Sequence, residues 1–172
     1  MSQAQDVTES AGHAQCTVGR VAVLIWKTPP STGGIDETRH LFRALASRQP
    51  KDKFAFLTII EAEATTLSIS SEVRESLSGL LKEFQQQLSA AVVVVDAEGF
   101  RASLVRTFVA TINLGNRLAF RANTERDLDA AARWLAARDP ALHIDAMELT
   151  DALTRLRSRW SGGPKVRDLG SR

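Results

Sequence analysis

The sequence predicts an α/β fold: a mixed, mostly parallel sheet of four to five strands with packing helices, plus an added C-terminal amphipathic helix. Three observations predict it. Short, fully apolar runs rich in β-branched residues recur along the chain, as strands buried on both faces require. Between them lie stretches whose apolar residues repeat at intervals of three and four, the spacing of one helix face. The two kinds of segment alternate, which is the pattern of a parallel sheet joined by crossover helices.

The elements follow in order. Residues 1–13 are polar and read as a flexible segment. Residues 14–18 form a candidate extra strand, and Gly19-Arg20 a tight turn into the apolar run Val21–Trp26, so the domain opens on a hairpin. The string from Pro29 to Gly34 is the strongest loop signal. Thr38, Leu41, Phe42 and Leu45 then fall on one helix face, ahead of a second apolar run at Phe54–Ile60. Residues 61–70 are polar and rich in Thr and Ser, a loop leading to the next helix. That helix carries the stripe Val73, Leu77, Leu80, Leu81, Phe84 and Leu88.

Residues 91–95 make a third strand, and Phe100, Leu104, Phe108 and Ile112 step by fours along a third helix. Leu118-Ala119-Phe120 is a weaker fourth strand. Leu128, Ala131, Ala132 and Leu135 mark a fourth helix, with Thr124 as its expected N-cap and Asp127 three residues on. Pro140 ends it. Ala146, Leu149, Leu153, Leu156 and Trp160 then form a further amphipathic stripe, closed by Gly162-Gly163-Pro164. The expected organisation is an α/β domain over 14–137, a helical extension over 138–161 and a basic tail over 162–172. The stripe of the extension must bury on its own domain or in a homodimer.

With 172 residues, 44% of them hydrophobic and 24% charged, the chain has the make-up of one globular domain. The formal net charge of +2 is too small for a whole face built to grip nucleic acid. From Arg155 onward six Lys or Arg stand against the single Asp168, which reads as a solubilising end. One cysteine, Cys16, excludes a disulfide within the chain and reads as a small core residue. Neither a basic-apolar leader nor an apolar stretch of ~20 residues is present, so the expectation is a cytoplasmic protein with no transmembrane segment.

Motifs with chemistry are missing. No third glycine completes a dinucleotide fingerprint after Gly33-Gly34, and no phosphate-binding P-loop or nucleophile elbow occurs. His13, His40 and His143 are far apart and Cys16 has no partner cysteine, so no metal-ligand spacing appears. The expectation is therefore no catalytic residue, no metal and no cofactor. Glu61 and Glu63 follow a strand end, where α/β sheets place ligands, but read as a solvated loop. Ser68, Ser70 and Ser71 lie where a loop meets a helix N-terminus, and there a serine caps the helix or carries a phosphate. Glu72 already adds negative charge to that first turn.

The opening hairpin ending at Val21–Trp26, the run Phe54–Ile60 feeding Ser70-Ser71, residues 91–96, Gly99-Phe100-Arg101 and residues 124–135 together resemble the STAS superfamily. The likeness is to a divergent anti-sigma-factor-antagonist-like protein, and it covers residues 14–137. It implies a non-enzymatic module that binds a protein partner, such as a kinase or sigma-factor regulator, and often switches by phosphorylation where the second helix starts. The family's switch motif is Asp-Ser-Ser/Thr-Gly; here Ile69-Ser70-Ser71-Glu72 occupies that place, so Ser70, Ser71 and Glu72 are the candidate switch residues. The alternative is a small-molecule or lipid binder. Its ligand would lie between the sheet and the third helix, against Phe100, Arg101 and Phe108, with Trp134 as a further wall.

Overall fold

The computed structural model describes residues 4–48, 52–61, 64, 69–95, 103, 110 and 118–161. Among these, six strands form one sheet in chain order: β1 (Ala4–Glu9), β2 (His13–Val18), β3 (Val21–Trp26), β4 (Phe54–Ile60), β5 (Leu88–Val95) and β6 (Arg121–Glu125). The pairs β1–β2 and β2–β3 are antiparallel, and β3 to β6 run parallel. Four helices pack on this mixed, mostly parallel sheet: α1 (Thr32–Arg48), α2 (Ser71–Glu83), α3 (Leu128–Arg138) and the C-terminal α4 (Ala146–Ser161).

The continuous apolar runs have a direct cause. Successive strand side chains point to opposite faces, and here both faces are covered. In β3, Val21, Val23 and Ile25 join the core under α3 and α4, whereas Ala22, Leu24 and Trp26 join the core under α1 and α2. With β3, β4 and β5 adjacent and parallel, the right-handed preference of such crossovers puts α1 and α2 on one face, where they share a core. Phe42 of α1 centres that layer. Its ring meets Phe54, Phe56 and Phe84 edge-on at 5.0, 5.0 and 5.3 Å, a geometry worth ~0.5–1.5 kcal/mol per pair beyond burial.

Local chemistry sets the ends of the elements. Gly19 takes a positive φ of 57° in the β2–β3 turn, where a side chain would be strained. Ser31 Oγ accepts the Gly34 N–H at 3.2 Å and so caps α1. Asp145 Oδ1 does the same for Glu148 N–H at 2.9 Å at the start of α4.

Several expectations are corrected. Residues 4–9 are not a loose leader but the edge strand β1. An edge strand needs no apolar alternation because one side and much of its surface face water, and only Ala4 and Val7 pack on the core. Its ladder is interrupted between Gln5 and Thr8, with Asp6 at a φ of 53°. Leu88 is not the last turn of a helix. α2 ends at Glu83, and Leu88 opens β5 beside Phe54. Thr124 is not a cap but a β6 residue opposite Val93, and Asp127 caps α3 by accepting Ala130 N–H at 2.8 Å. The polar string Arg121–Glu125 extends as a strand because β5 beside it supplies the ladder. Its side chains are exposed or half-buried, so no apolar signal marks it.

The stripe of the C-terminal helix is covered by its own chain. Leu149, Leu153 and Leu156 are buried in the core shared with α3 and the sheet, and Met147 is left 71% exposed. No helix among the described residues is long and apolar enough to cross a membrane.

Candidate functional site

The carboxyl ends of parallel strands are where α/β sheets place their ligands. In this chain β3 ends at Trp26 and β4 at Ile60, and their continuation is tied together by the Glu61 N–H, which donates to the Trp26 carbonyl at 3.0 Å. α2 starts on the same edge. Ser70 stands outside the helix with φ −59° and ψ 155°, and its Oγ accepts the Val73 N–H at 3.2 Å. That bond satisfies one of the orphan amides of the first turn. Ser70, Ser71 and Glu72 are all exposed, so the three candidate switch residues form one solvent-facing helix start. Glu72 lies in the first turn, where the helix dipole favours its charge.

Beneath that turn the helix buries Val73, Leu80 and Leu81, and with Ile69 and Leu77 these face the sheet. Between them lies a cavity of about 80 Å³, bounded by Leu24 and Trp26 of β3, Phe56, Thr58 and Ile60 of β4, and Val93 of β5. Among the described residues no charged side chain lines it, and the buried Thr58 is the one polar side chain. Such a space accepts an apolar group and offers a charged one no partner. At about 80 Å³ it is smaller than the ~150 Å³ void that takes up benzene.

Phe100, Arg101 and Phe108 lie outside the described residues, as do Glu63, Ser68 and the basic tail. Trp134 does not share this cavity. It sits on α3 and packs against the core of the opposite face. Glu61 is not a solvated loop residue. Its carboxylate accepts two hydrogen bonds of 2.8 Å from the Arg157 guanidinium, joining α4 to the sheet edge. Beside that pair, Lys27 Nζ donates to the Trp160 carbonyl at 2.9 Å and lies 4.3 Å from the Trp160 ring centroid.

Carboxyl groups elsewhere are tuned by arginines. The hydrogen bond from Arg43 is the largest influence on Glu83; burial opposes it, but with the charges of Arg43 and Arg39 added the carboxyl is held below the usual carboxylate range. Arg48 does the same to Asp6 through two hydrogen bonds of 2.6 and 3.0 Å. Both sites join elements rather than line the cavity. Among the described residues no three His, Cys, Asp or Glu side chains come together as metal ligands would.

Two features escaped the sequence. The cavity depends on Leu24, Thr58 and Leu77 meeting from three segments, and each has the pattern of an ordinary core residue. His13 is buried in contact with Ser10 and Glu37, and the 24-residue gap to Glu37 carries no motif. Comparison with family models, with curated protein sequences and with solved structures finds no match to this chain.

Proposed function

We propose that this chain is a cytoplasmic regulatory module of STAS type that binds a protein partner through the start of α2, a surface that does no chemistry of its own. One observation carries the reading: Ser70, the residue aligned with the family's switch, is the exposed N-cap of the second helix. A phosphoryl group there, or an anionic group of a partner, meets amide donors and the positive end of the helix dipole. A phosphate adds ~1.5–2 negative charges to a turn that already holds Glu72, which changes the partner surface sharply. The opening hairpin and the mostly parallel sheet with flanking helices agree with the same kinship.

The test compares two double variants. Ser70→Ala with Ser71→Ala removes the hydroxyls and a cap worth ~1 kcal/mol. Ser70→Asp with Ser71→Asp keeps a capping oxygen and adds charge. The partner is first identified by affinity capture and mass spectrometry, and its affinity is then measured for wild type and both variants. The expected result is at least a tenfold difference between the Ala and Asp forms. Equal affinity across all three removes this surface from the function.

The apolar cavity favours a second reading, a small-molecule or lipid binder with its ligand held between α2 and the sheet. Native mass spectrometry of freshly purified protein then shows a retained small apolar ligand, lost on Leu77→Trp, which fills the space. A bare mass from several expression conditions counts against it.

A further inference from the structure

At the turn between β1 and β2, three side chains meet in a line. Ser10 Oγ lies 2.8 Å from His13 Nδ1, and His13 Nε2 lies 3.0 Å from Glu37 Oε2 on α1. His13 is 6% exposed, whereas Ser10 and Glu37 are half-buried and reach solvent. The imidazole is held from two sides. The Trp26 ring lies 5.1 Å away between centroids, tilted by 42°. Gly34 approaches so closely that a Cβ there would stand 3.2 Å from His13 Cε1.

The partners dictate where the protons sit. A carboxylate only accepts, so Glu37 requires a hydrogen on Nε2. The neutral ring then has a bare Nδ1, and the Ser10 hydroxyl donates to it. When the ring takes a second proton, Nδ1 becomes a donor to Ser10 Oγ. The hydroxyl then turns to the His13 carbonyl, 3.0 Å away. Every polar group of the array is therefore satisfied with the ring neutral and with the ring protonated from solvent; a proton passing from Ser10 itself leaves an oxygen anion that accepts from Nδ1–H. That is the relation of nucleophile, base and orienting carboxylate, with the two ring nitrogens used in the opposite sense to the familiar hydrolases. Ala11 and Gly12 follow Ser10 in the turn, and their N–H groups make no backbone hydrogen bond among the described residues.

The geometry points to Ser10 as a nucleophile for acyl transfer, with His13 as its general base and Glu37 as the positioning residue. The substrate class is a small carboxylic ester without a negative charge, since the half-exposed Glu37 carboxylate stands at the turn. Ser10 Oγ attacks the carbonyl carbon while its proton passes to Nδ1. The bond to the alcohol oxygen then breaks, and that oxygen takes the proton from Nδ1, leaving an ester on Ser10. Water, giving a proton to the same nitrogen, attacks this ester and releases the acid and free Ser10. This activity lies beyond the partner-binding role proposed for Ser70 and does not depend on it.

The test treats the full chain with a neutral alkyl fluorophosphonate, which forms a stable P–O bond to an activated serine with loss of fluoride. Intact mass and peptide mapping locate the adduct. The expected result is one adduct, on Ser10, absent in Ser10→Ala and formed at an unchanged rate in Met147→Ala. Glu37→Gln leaves the fold intact, since Glu37 is half-exposed, but slows labelling at least tenfold and shifts its pH profile. No adduct on the wild type overturns the proposal, as does an adduct that survives in Ser10→Ala. A Glu37→Gln rate and pH profile equal to wild type likewise overturn the role assigned to the histidine and its carboxylate.

Discussion

Gly33 and Gly34 are neighbours in sequence and opposites in space. A Cβ on Gly34 would lie 2.7 Å from Trp26 Cζ3, whereas one on Gly33 meets nothing within 4 Å. Trp26 is 3% exposed and has His13 on one side, so it can yield only into the small cavity that it lines, losing its present packing. Gly34→Ala is therefore expected to destabilise the fold by ~1–3 kcal/mol through overpacking. Gly33→Ala is expected to be neutral or to stabilise by up to ~1 kcal/mol, because alanine suits a helix better. Urea titrations of the two variants check the pair, and equal midpoints would refute the close packing. In the sequence both residues belong to one glycine pair in a loop signal. The signal marked the turn into α1, but it did not distinguish the glycine that the tryptophan demands from the one that it does not.

Glu83 shows how elements are held to each other. It closes α2, and its carboxylate accepts from Arg39 Nε at 3.0 Å and Arg43 Nη2 at 2.8 Å, both on α1. Arg39 is also paired with Asp36 within α1. Because the folded carboxyl titrates below its ordinary value, its contribution to stability is complete above the ordinary carboxylate range. It is lost as the pH falls through the lowered folded value. Glu83→Gln should therefore lower the melting temperature at pH 7, and the gap to wild type should close only as the pH falls below the ordinary carboxylate range of ~4.3. Added salt should narrow the neutral-pH gap, since the pair is exposed. Thermal melts over a pH series read both effects. The helices α1 and α2 were legible from their apolar stripes, but this clasp was not, since residues 39, 43 and 83 sit on the polar faces that periodicity leaves unassigned. The same limit applies to β6, whose polar string Arg121–Glu125 becomes a strand only against β5.

At the scale of the whole molecule, α4 completes the layer on the second face. Leu153 is fully buried there, among Leu135, Leu149 and Leu156. Leu153→Ala should cost ~2–5 kcal/mol by loss of burial and the void left behind. Met147→Ala on the same helix, 71% exposed, should change stability by less than ~0.5 kcal/mol. Chemical denaturation of the two variants provides the measurement. Similar losses at both positions would mean that the helix does not lie on the sheet by the stripe described.

The residues alone settled the layering of this protein. Val21–Trp26, Phe54–Ile60 apart from Thr58, and the valines of β5 are apolar because both faces of the sheet are covered, and that can be read before any contact is known. Spacing likewise marked α1, α2, α3 and α4. Folding in three dimensions settled what the polar residues do. Ser10, His13 and Glu37 converge from a turn, a strand and a helix. Arg157 crosses 96 residues to Glu61, and Asp6 of a polar leader finds Arg48. Apolar periodicity records which side of an element avoids water, a property of one segment. A hydrogen bond or ion pair is a property of two segments, and where they meet is fixed by the strand order and the helix crossings that bring them together.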